Sequence, residues 1–227
     1  EGHEVGHFRG LERTLAQGPM SGGAAKPRRF FPMTTHLDTR DPLLARILGR
    51  RQSLFADDVA ANATRLADAI ANRRLLIVGA ASSIGAAFIK AVVPFRPVAL
   101  HLVDINENGL VELVRDLRSS PLPLPDDFRT VTADFAREEF ARFVADNGPY
   151  DGLANFSALK HVRTERDVYS LLRMLEVNVA ALDRFLANAR RYGFARVFSV
   201  STDKSVRPAN LMGASKNLME KVLFSYP

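Results

Sequence analysis

Two short stretches carry side chains of the kinds that exchange protons and hold a polar ligand. Ser201-Thr202-Asp203-Lys204 sets two hydroxyls, a carboxylate and an amine side by side, and eight residues past Lys204 begins Met212-Gly-Ala-Ser-Lys216, which adds a second amine. The run Arg196–Ser201 reads as a strand and Leu211–Ser225 as a helix. In an open parallel sheet ligands bind beyond the carboxyl ends of the strands, so Ser201, Thr202, Asp203 and Lys204 are delivered to a binding rim. Lys216 lies one turn beyond Met212, which puts both on the same side of that helix.

A third stretch can hold phosphate. Leu75-Leu-Ile-Val-Gly79-Ala-Ala-Ser82-Ser83-Ile84-Gly85 runs from an unbroken apolar strand through a tight turn into a helix. Gly79 permits the turn, Gly85 lets the helix lie close to the sheet, and the amides of Ser83 and Ile84 open the helix toward a pyrophosphate. Ser82 stands where the usual pattern has its middle glycine, and its side chain is expected to crowd the phosphate. Asp104 ends the next strand, 19 residues after Gly85. A carboxylate there accepts hydrogen bonds from an adenosine ribose and favours NAD over NADP, with NADP still open. Its second reading is a cap for the following helix, a role Asn106 could fill instead. Asp134 ends the third strand, where adenine would sit, and has the same two readings.

The elements that must position these groups alternate. The pattern predicts strands at 75–79, 98–104, 128–134, 151–157 and 196–201, each followed by a helix, at 83–93, 107–118, 137–146, 165–191 and 211–225. With right-handed crossovers this is an α/β fold, a doubly wound parallel sheet of Rossmann type in the order 3-2-1-4-5. The long fourth helix carries Val168, Leu171, Leu172, Leu175, Val179, Leu182 and Leu186 on one stripe. Asn178 inside that stripe is expected to tie helix to strand by hydrogen bonds. Residues 36–73 form an N-terminal helical segment of two helices. One follows Asp41-Pro42 with Leu43, Leu44, Ile47 and Leu48 on its apolar face, and one runs from about Ala56 to Asn72. Residues 1–35 are rich in glycine and hold a basic Lys26-Pro-Arg-Arg29 cluster. They read as a disordered tail, or as vector or gene-start sequence with Met20 or Met33 as the natural beginning. The sheet domain, 74–227, stops directly after a helix. Doubly wound domains usually add a further strand, so the chain is expected to be cut short.

Composition narrows the classes. Of 227 residues 47% are apolar, enough for a sizeable core. The absence of cysteine excludes disulfides, thiolate zinc sites and cysteine nucleophiles. The five histidines are scattered, three of them before residue 37, so no metal is expected. The net charge of +6 comes from arginines at element ends, such as Arg50-Arg51, Arg73-Arg74 and Arg190-Arg191, and not from a nucleic-acid patch. A membrane helix needs about 20 nearly unbroken apolar residues, and the most apolar stretch, Leu75–Phe95, is interrupted by Gly79, Ser82, Ser83, Gly85 and Lys90. No secretory leader is visible, and a cytoplasmic location is the default.

The glycine turn, Ala158-Leu-Lys160-His-Val162, Ser201-Thr-Asp-Lys204 and Met212-Gly-Ala-Ser-Lys216 resemble the extended short-chain dehydrogenase/reductases, within them the polysaccharide-biosynthesis branch of UDP-N-acetylglucosamine 4,6-dehydratases. The resemblance covers about residues 40–227. It implies a nicotinamide cofactor that accepts a hydride from carbon 4 of the sugar, loss of water across carbons 5 and 6, and hydride return to carbon 6. Matched position by position, Lys204 and Asp203 serve the elimination, Ser201 and Thr202 bind the carbon 4 hydroxyl, and Lys216 holds the nicotinamide ribose. Lys204 is expected to be flanked by cations and partly desolvated. Lys160 meets nicotinamide and sugar, and Phe135 and Ala158 complete the cofactor-binding set. Met212 replaces the tyrosine of most relatives, as in some 4,6-dehydratases. A thioether cannot titrate, so the carbon 4 base is Lys204, Asp203 or a threonine-bound water. A nucleotide-sugar epimerase and a non-catalytic NAD-binding or interaction module are the competing readings. The implied partner is a UDP-sugar, with a homo-oligomer through the long fourth helix and the last helix.

Overall fold

In the computed structural model, which describes residues 10–14, 42–50, 53–159 and 167–226, the central strand β2, Arg74–Val78, is buried on both faces. Leu76 and Val78 face one core cluster and Ile77 the other, which is why this strand reads as an unbroken apolar run instead of an alternation. β3 (Ala99–Asp104) and β4 (Asp127–Thr132) lie on one side of it, β5 (Gly152–Asn155) and β6 (Arg196–Val200) on the other. All four junctions are parallel, and the order β4-β3-β2-β5-β6 is the expected 3-2-1-4-5. A further strand, β1 (Gly10–Thr14), lies within the stretch expected to be a tail and pairs antiparallel along β6, with Gly10 opposite Val200 and Thr14 opposite Arg196. It covers backbone that would otherwise form a sheet edge.

Ahead of β2 stand α1 (Pro42–Leu48), α2 (Ala56–Ala61) and α3 (Ala63–Ile70). The second expected helix is thus broken at Asn62, whose side chain donates to the Asp58 carbonyl at 2.8 Å and competes with the backbone for it. Between the strands lie α4 (Ser83–Val92), α5 (Glu107–Ser119) and α6 (Glu138–Asn147). α4 and α5 cover the cluster of Ile77, Leu100 and Leu102, while α6 covers that of Leu76 and Val78. Among the described residues no helix is long and apolar enough to cross a membrane.

The expected single helix over 165–191 is two, α7 (Val168–Leu175) and α8 (Ala181–Ala189), joined by a π-helical turn over Glu176–Ala180. The wider turn accommodates one extra residue and shifts the phase of everything after it by about 100°. The predicted stripe is therefore split. Leu182 and Leu186 are buried, but Val168 and Leu172 are each 59% exposed, and the fully buried residue of α7 is Met174. The last helix, α9 (Leu211–Ser225), buries Met219 and Leu223 against the sheet.

A polar network sits near the amino ends of the strands, opposite the rim to which the chemistry-bearing groups belong. His101 on β3 is fully buried, with Nδ1 2.7 Å from the Tyr150 hydroxyl and Nε2 3.0 Å from Asp127 Oδ1. Arg74 also binds Asp127, at 3.0 Å, and lies over the Tyr150 ring, while Arg129 reaches the same carboxylate at 3.0 Å. A carboxylate can only accept, so Nε2 carries the proton and Tyr150 donates to Nδ1. Burial pushes the imidazole below its ordinary 6.5 against the pull of Asp127. The hydrogen bond from His101 holds Asp127 well down, at about 2.

Two consequences are measurable. Tyr150→Phe deprives a buried imidazole nitrogen of its donor and should cost about 1–3 kcal/mol in urea unfolding, with an unchanged m-value. Below pH 6.5 the unfolded His101 binds a proton that the folded one refuses, so stability falls on acidification, and it falls again from 3.8 toward about 2 as Asp127 must be protonated. In His101→Gln the first of these two losses should vanish from a plot of urea midpoint against pH.

Candidate functional site

The turn after β2 is held by two close approaches. Gly79 has φ +71°, and a Cβ there would lie 2.6 Å from the Phe156 carbonyl carbon just past β5. A Cβ on Gly85 would lie 2.4 Å from the Gly79 carbonyl oxygen. Only glycine lets the turn pack this tightly, with the first-turn amides of Ser83 and Ile84 left without intrahelical carbonyls. Ser82 does not point outward as expected. It caps α4, its Oγ accepting from the Gly85 amide at 3.1 Å and donating to the Gly79 carbonyl at 2.7 Å. The hydroxyl folds back into the turn, so it leaves the helix entrance clear.

Asp104 is not the cap of α5; Asn106 is, accepting from the Gly109 amide at 3.0 Å. Asp104 instead braces the turn, accepting from Ala81 N and from Asn106 N, each at 2.9 Å. Asp134 lies two residues beyond the end of β4, accepts from Ala136 N at 2.9 Å and forms an ion pair with Arg173 of α7. Phe135 packs beside it against Phe140 and Phe185.

On the other side of β2, β6 leads into Ser201 and a 3₁₀ turn over Asp203–Ser205. Thr202 Oγ1 donates to Asp203 Oδ1 at 2.8 Å. Together with the Lys204 amide, that bond holds the Asp203 carboxyl below the usual range. Lys204 is exposed beside this carboxylate, so the expected partial desolvation is not found. Lys216 is the desolvated amine. It is 5% exposed, donates to the Val200 carbonyl at 3.1 Å, and burial drives it down to about 8, opposed by the charge of Glu220. Met212 is buried one turn before it. The Ser201 hydroxyl donates to Glu220, so its proton is committed away from the rim.

These segments share one crevice of about 550 Å³. Its lining includes Gly79, Ser82, Ile84, Asp104, Asp134, Phe135 and Ala158 from the expected cofactor set, and Ser201, Thr202, Lys204, Met212 and Lys216 from the expected reacting set. Asp203 does not line it, and its carboxylate is turned back onto Thr202. Lys160 lies outside the described residues. The crevice opens where the strand order reverses, with β3 on one side of β2 and β5 on the other, which is where doubly wound sheets receive ligands. The glycine cradle at 79 and 85, the free helix entrance and the Asp104 carboxylate at the next strand end are the donor set a dinucleotide fits.

Sequence reasoning missed Arg173 and Glu220. Nothing local marks Arg173, because its partner Asp134 is distant in the chain. Glu220 had a signal, four residues after Lys216 and hence on the same helix face. Asn178, in the π-helical turn between α7 and α8, is tied not to a strand but to the segment past β5 and to α9, accepting from Leu159 N and donating to Leu159 O and Ser215 Oγ, each at 3.0 Å.

Fold and crevice together define a Rossmann-type domain with the fold of the short-chain dehydrogenase/reductases. Residues 75–227 match the family model described as polysaccharide biosynthesis protein, and the chain belongs to that family. Capsular polysaccharide biosynthesis protein CapD of Staphylococcus aureus is 25% identical over 172 residues, 76% of this chain and 28% of CapD. An uncharacterized membrane protein of Methanocaldococcus jannaschii is 28% identical over 154 residues, 68% of this chain and 43% of that protein. The chain thus spans less than half the length of these relatives. Among solved structures, Pen from Bacillus thuringiensis superposes with a TM-score of 0.61 at 19% identity, covering 69% of this chain and 46% of that one. The Bordetella bronchiseptica enzyme WbmG, in complex with NAD and UDP, gives 0.54 at 17% identity over 68% and 50%.

Two measurements probe the site. Gly79→Ala puts a Cβ at positive φ against backbone and should cost about 3 kcal/mol in denaturant unfolding. Between about 8 and 10.5 the unfolded chain keeps a proton that folded Lys216 has shed, so stability should rise with pH across that window. Lys216→Met should flatten this rise.

Proposed function

We propose that this chain is the cofactor-binding part of a nucleotide-sugar 4,6-dehydratase of the UDP-N-acetylhexosamine type, an enzyme of surface-polysaccharide precursor synthesis. The observation that carries the reading is the shared crevice, with the glycine turn on one side of β2 and Thr202, Lys204 and Lys216 on the other, around a non-titrating Met212. WbmG, seen with NAD and UDP, has the same fold and supports the same class of ligands here.

In this reading the Ser83 and Ile84 amides hold a pyrophosphate and Asp104 the adenosine ribose, which favours NAD. Bound NAD supplies a reversible hydride acceptor. Lys216 holds the nicotinamide ribose from below the crevice floor. Thr202 orients the carbon 4 hydroxyl. Asp203 lies outside the lining and is turned onto Thr202, so it fixes the turn, and the proton transfers fall to Lys204. Its neutral amine takes the carbon 4 hydroxyl proton, passes it to the carbon 6 hydroxyl as that leaves as water, takes the carbon 5 proton, and returns it to carbon 5 as hydride reaches carbon 6. Met212 contributes apolar surface and no proton, so proton exchange rests on the Thr202–Lys204 segment.

The full-length protein incubated with UDP-N-acetylglucosamine should give a 4-keto-6-deoxy product by NMR without net reduction of NAD. Lys204→Ala should lower kcat by about 10²-fold or more, with NAD affinity preserved. A sugar left unchanged beside a bound cofactor would overturn the dehydratase reading, and a product inverted at carbon 4 would replace it with an epimerase.

A further inference from the structure

Glu220 has no place in the scheme above, yet its carboxylate holds both residues that flank the segment that does. Its Oε1 accepts from the Ser201 hydroxyl and lies 2.6 Å from Ser205 Oγ. The Ser205 proton is shared with the Thr202 carbonyl, also at 2.6 Å. Ser201 and Ser205 are both buried, and they bracket Thr202, Asp203 and Lys204. One turn earlier on α9, Asn217 Nδ2 donates to the Ser205 carbonyl at 2.8 Å, and Lys216 Nζ donates to the Val200 carbonyl. A turn before that, a Cβ on Gly213 would lie 2.6 Å from the Lys204 carbonyl oxygen. Residues 213, 216, 217 and 220 form one face of α9, so a single helix face grips the strand end and the turn at successive points.

We infer that Glu220 is a positioning residue for the proposed reaction: its carboxylate clamps the two serines that bracket Thr202–Lys204, and its charge faces the Lys216 ammonium across one helical turn. The clamp fixes which atoms of the turn face the crevice. The charge offsets the desolvation of Lys216 and keeps it cationic to higher pH than burial alone would allow. Among the described residues, the hydrogen-bond partners of Lys216 are neutral, namely the Val200 carbonyl and the Met219 sulfur. Lys204, Asp104, Asp134 and Arg173 are the other charged residues that line the same crevice. This role rests on the dehydratase reading only for its purpose, because the clamp and the charge belong to the ligand-free molecule.

Two variants separate clamp from charge. Glu220→Gln keeps an acceptor for both serines and removes the charge. Its Lys216 midpoint, followed by lysine-selective ¹³C NMR without ligand, should fall by about one pH unit, and the pH dependence of NAD binding should shift with it. Glu220→Ala removes both functions, and amide hydrogen exchange across residues 201–205 should speed up by about tenfold or more, while Glu220→Gln stays near wild type. An unchanged Lys216 midpoint in Glu220→Gln, or wild-type exchange of the turn in a folded Glu220→Ala, overturns the inference. Should Glu220→Ala fail to fold, the Lys216 midpoint in Glu220→Gln decides. A wild type that does not bind NAD while both ligand-free effects hold would count against the dehydratase reading and leave the positioning role standing.

Discussion

The close approach of Gly79 to the backbone just past β5 is the constraint on which the rest of the crevice depends. With 2.6 Å between an imagined Cβ and the Phe156 carbonyl carbon, the turn can lie across the split between β2 and β5 only without a side chain. That contact fixes where α4 begins, and Gly85 then fixes how near its first turn lies to the sheet. Asp104 braces the turn from β3 through Ala81 N, so the positions of the helix entrance and of the next strand end are coupled. The crevice is a consequence of sheet topology made narrow by two glycines.

The two rims of the sheet are built differently. Near the amino ends, His101, Tyr150, Asp127, Arg74 and Arg129 satisfy one another in a closed network with a fully buried imidazole. Near the carboxyl ends, polar groups are held but left facing open space, as with Thr202 and Lys204, or held just beneath it, as with Lys216. Polar groups with every partner in the protein rigidify a fold, whereas those that keep an unspent donor or acceptor toward a crevice can receive a ligand.

Strand order and many of the residues that line the shared crevice were legible in the sequence because both follow from period and position. β2 is an unbroken apolar run, the strands alternate with helices, and strand ends lead to the binding rim. What the sequence hid depends on geometry between distant segments. Ser82 looked obstructive because its capping bonds to Gly79 and Gly85 form only once the turn closes. Lys204 looked like the desolvated amine, but burial selects Lys216, which α9 draws beneath Val200. The split of the fourth helix was invisible for a subtler reason: the residues of both halves keep perfect helical spacing, and only the backbone records the inserted phase.

That phase slip divides the helix into two halves that bury different faces. Leu182 and Leu186 fasten its C-terminal half to the sheet, while its N-terminal half inserts Met174 and leaves Val168 and Leu172 in solvent. Asn178 sits at the seam, buried and bonded to the chain on both sides of Leu159 and to α9. Local stability follows the gradient of buried apolar contact, which falls from Leu182 and Leu186 toward Val168 with Asn178 at the boundary. The seam divides a half anchored through one buried residue, Met174, from a half anchored through five.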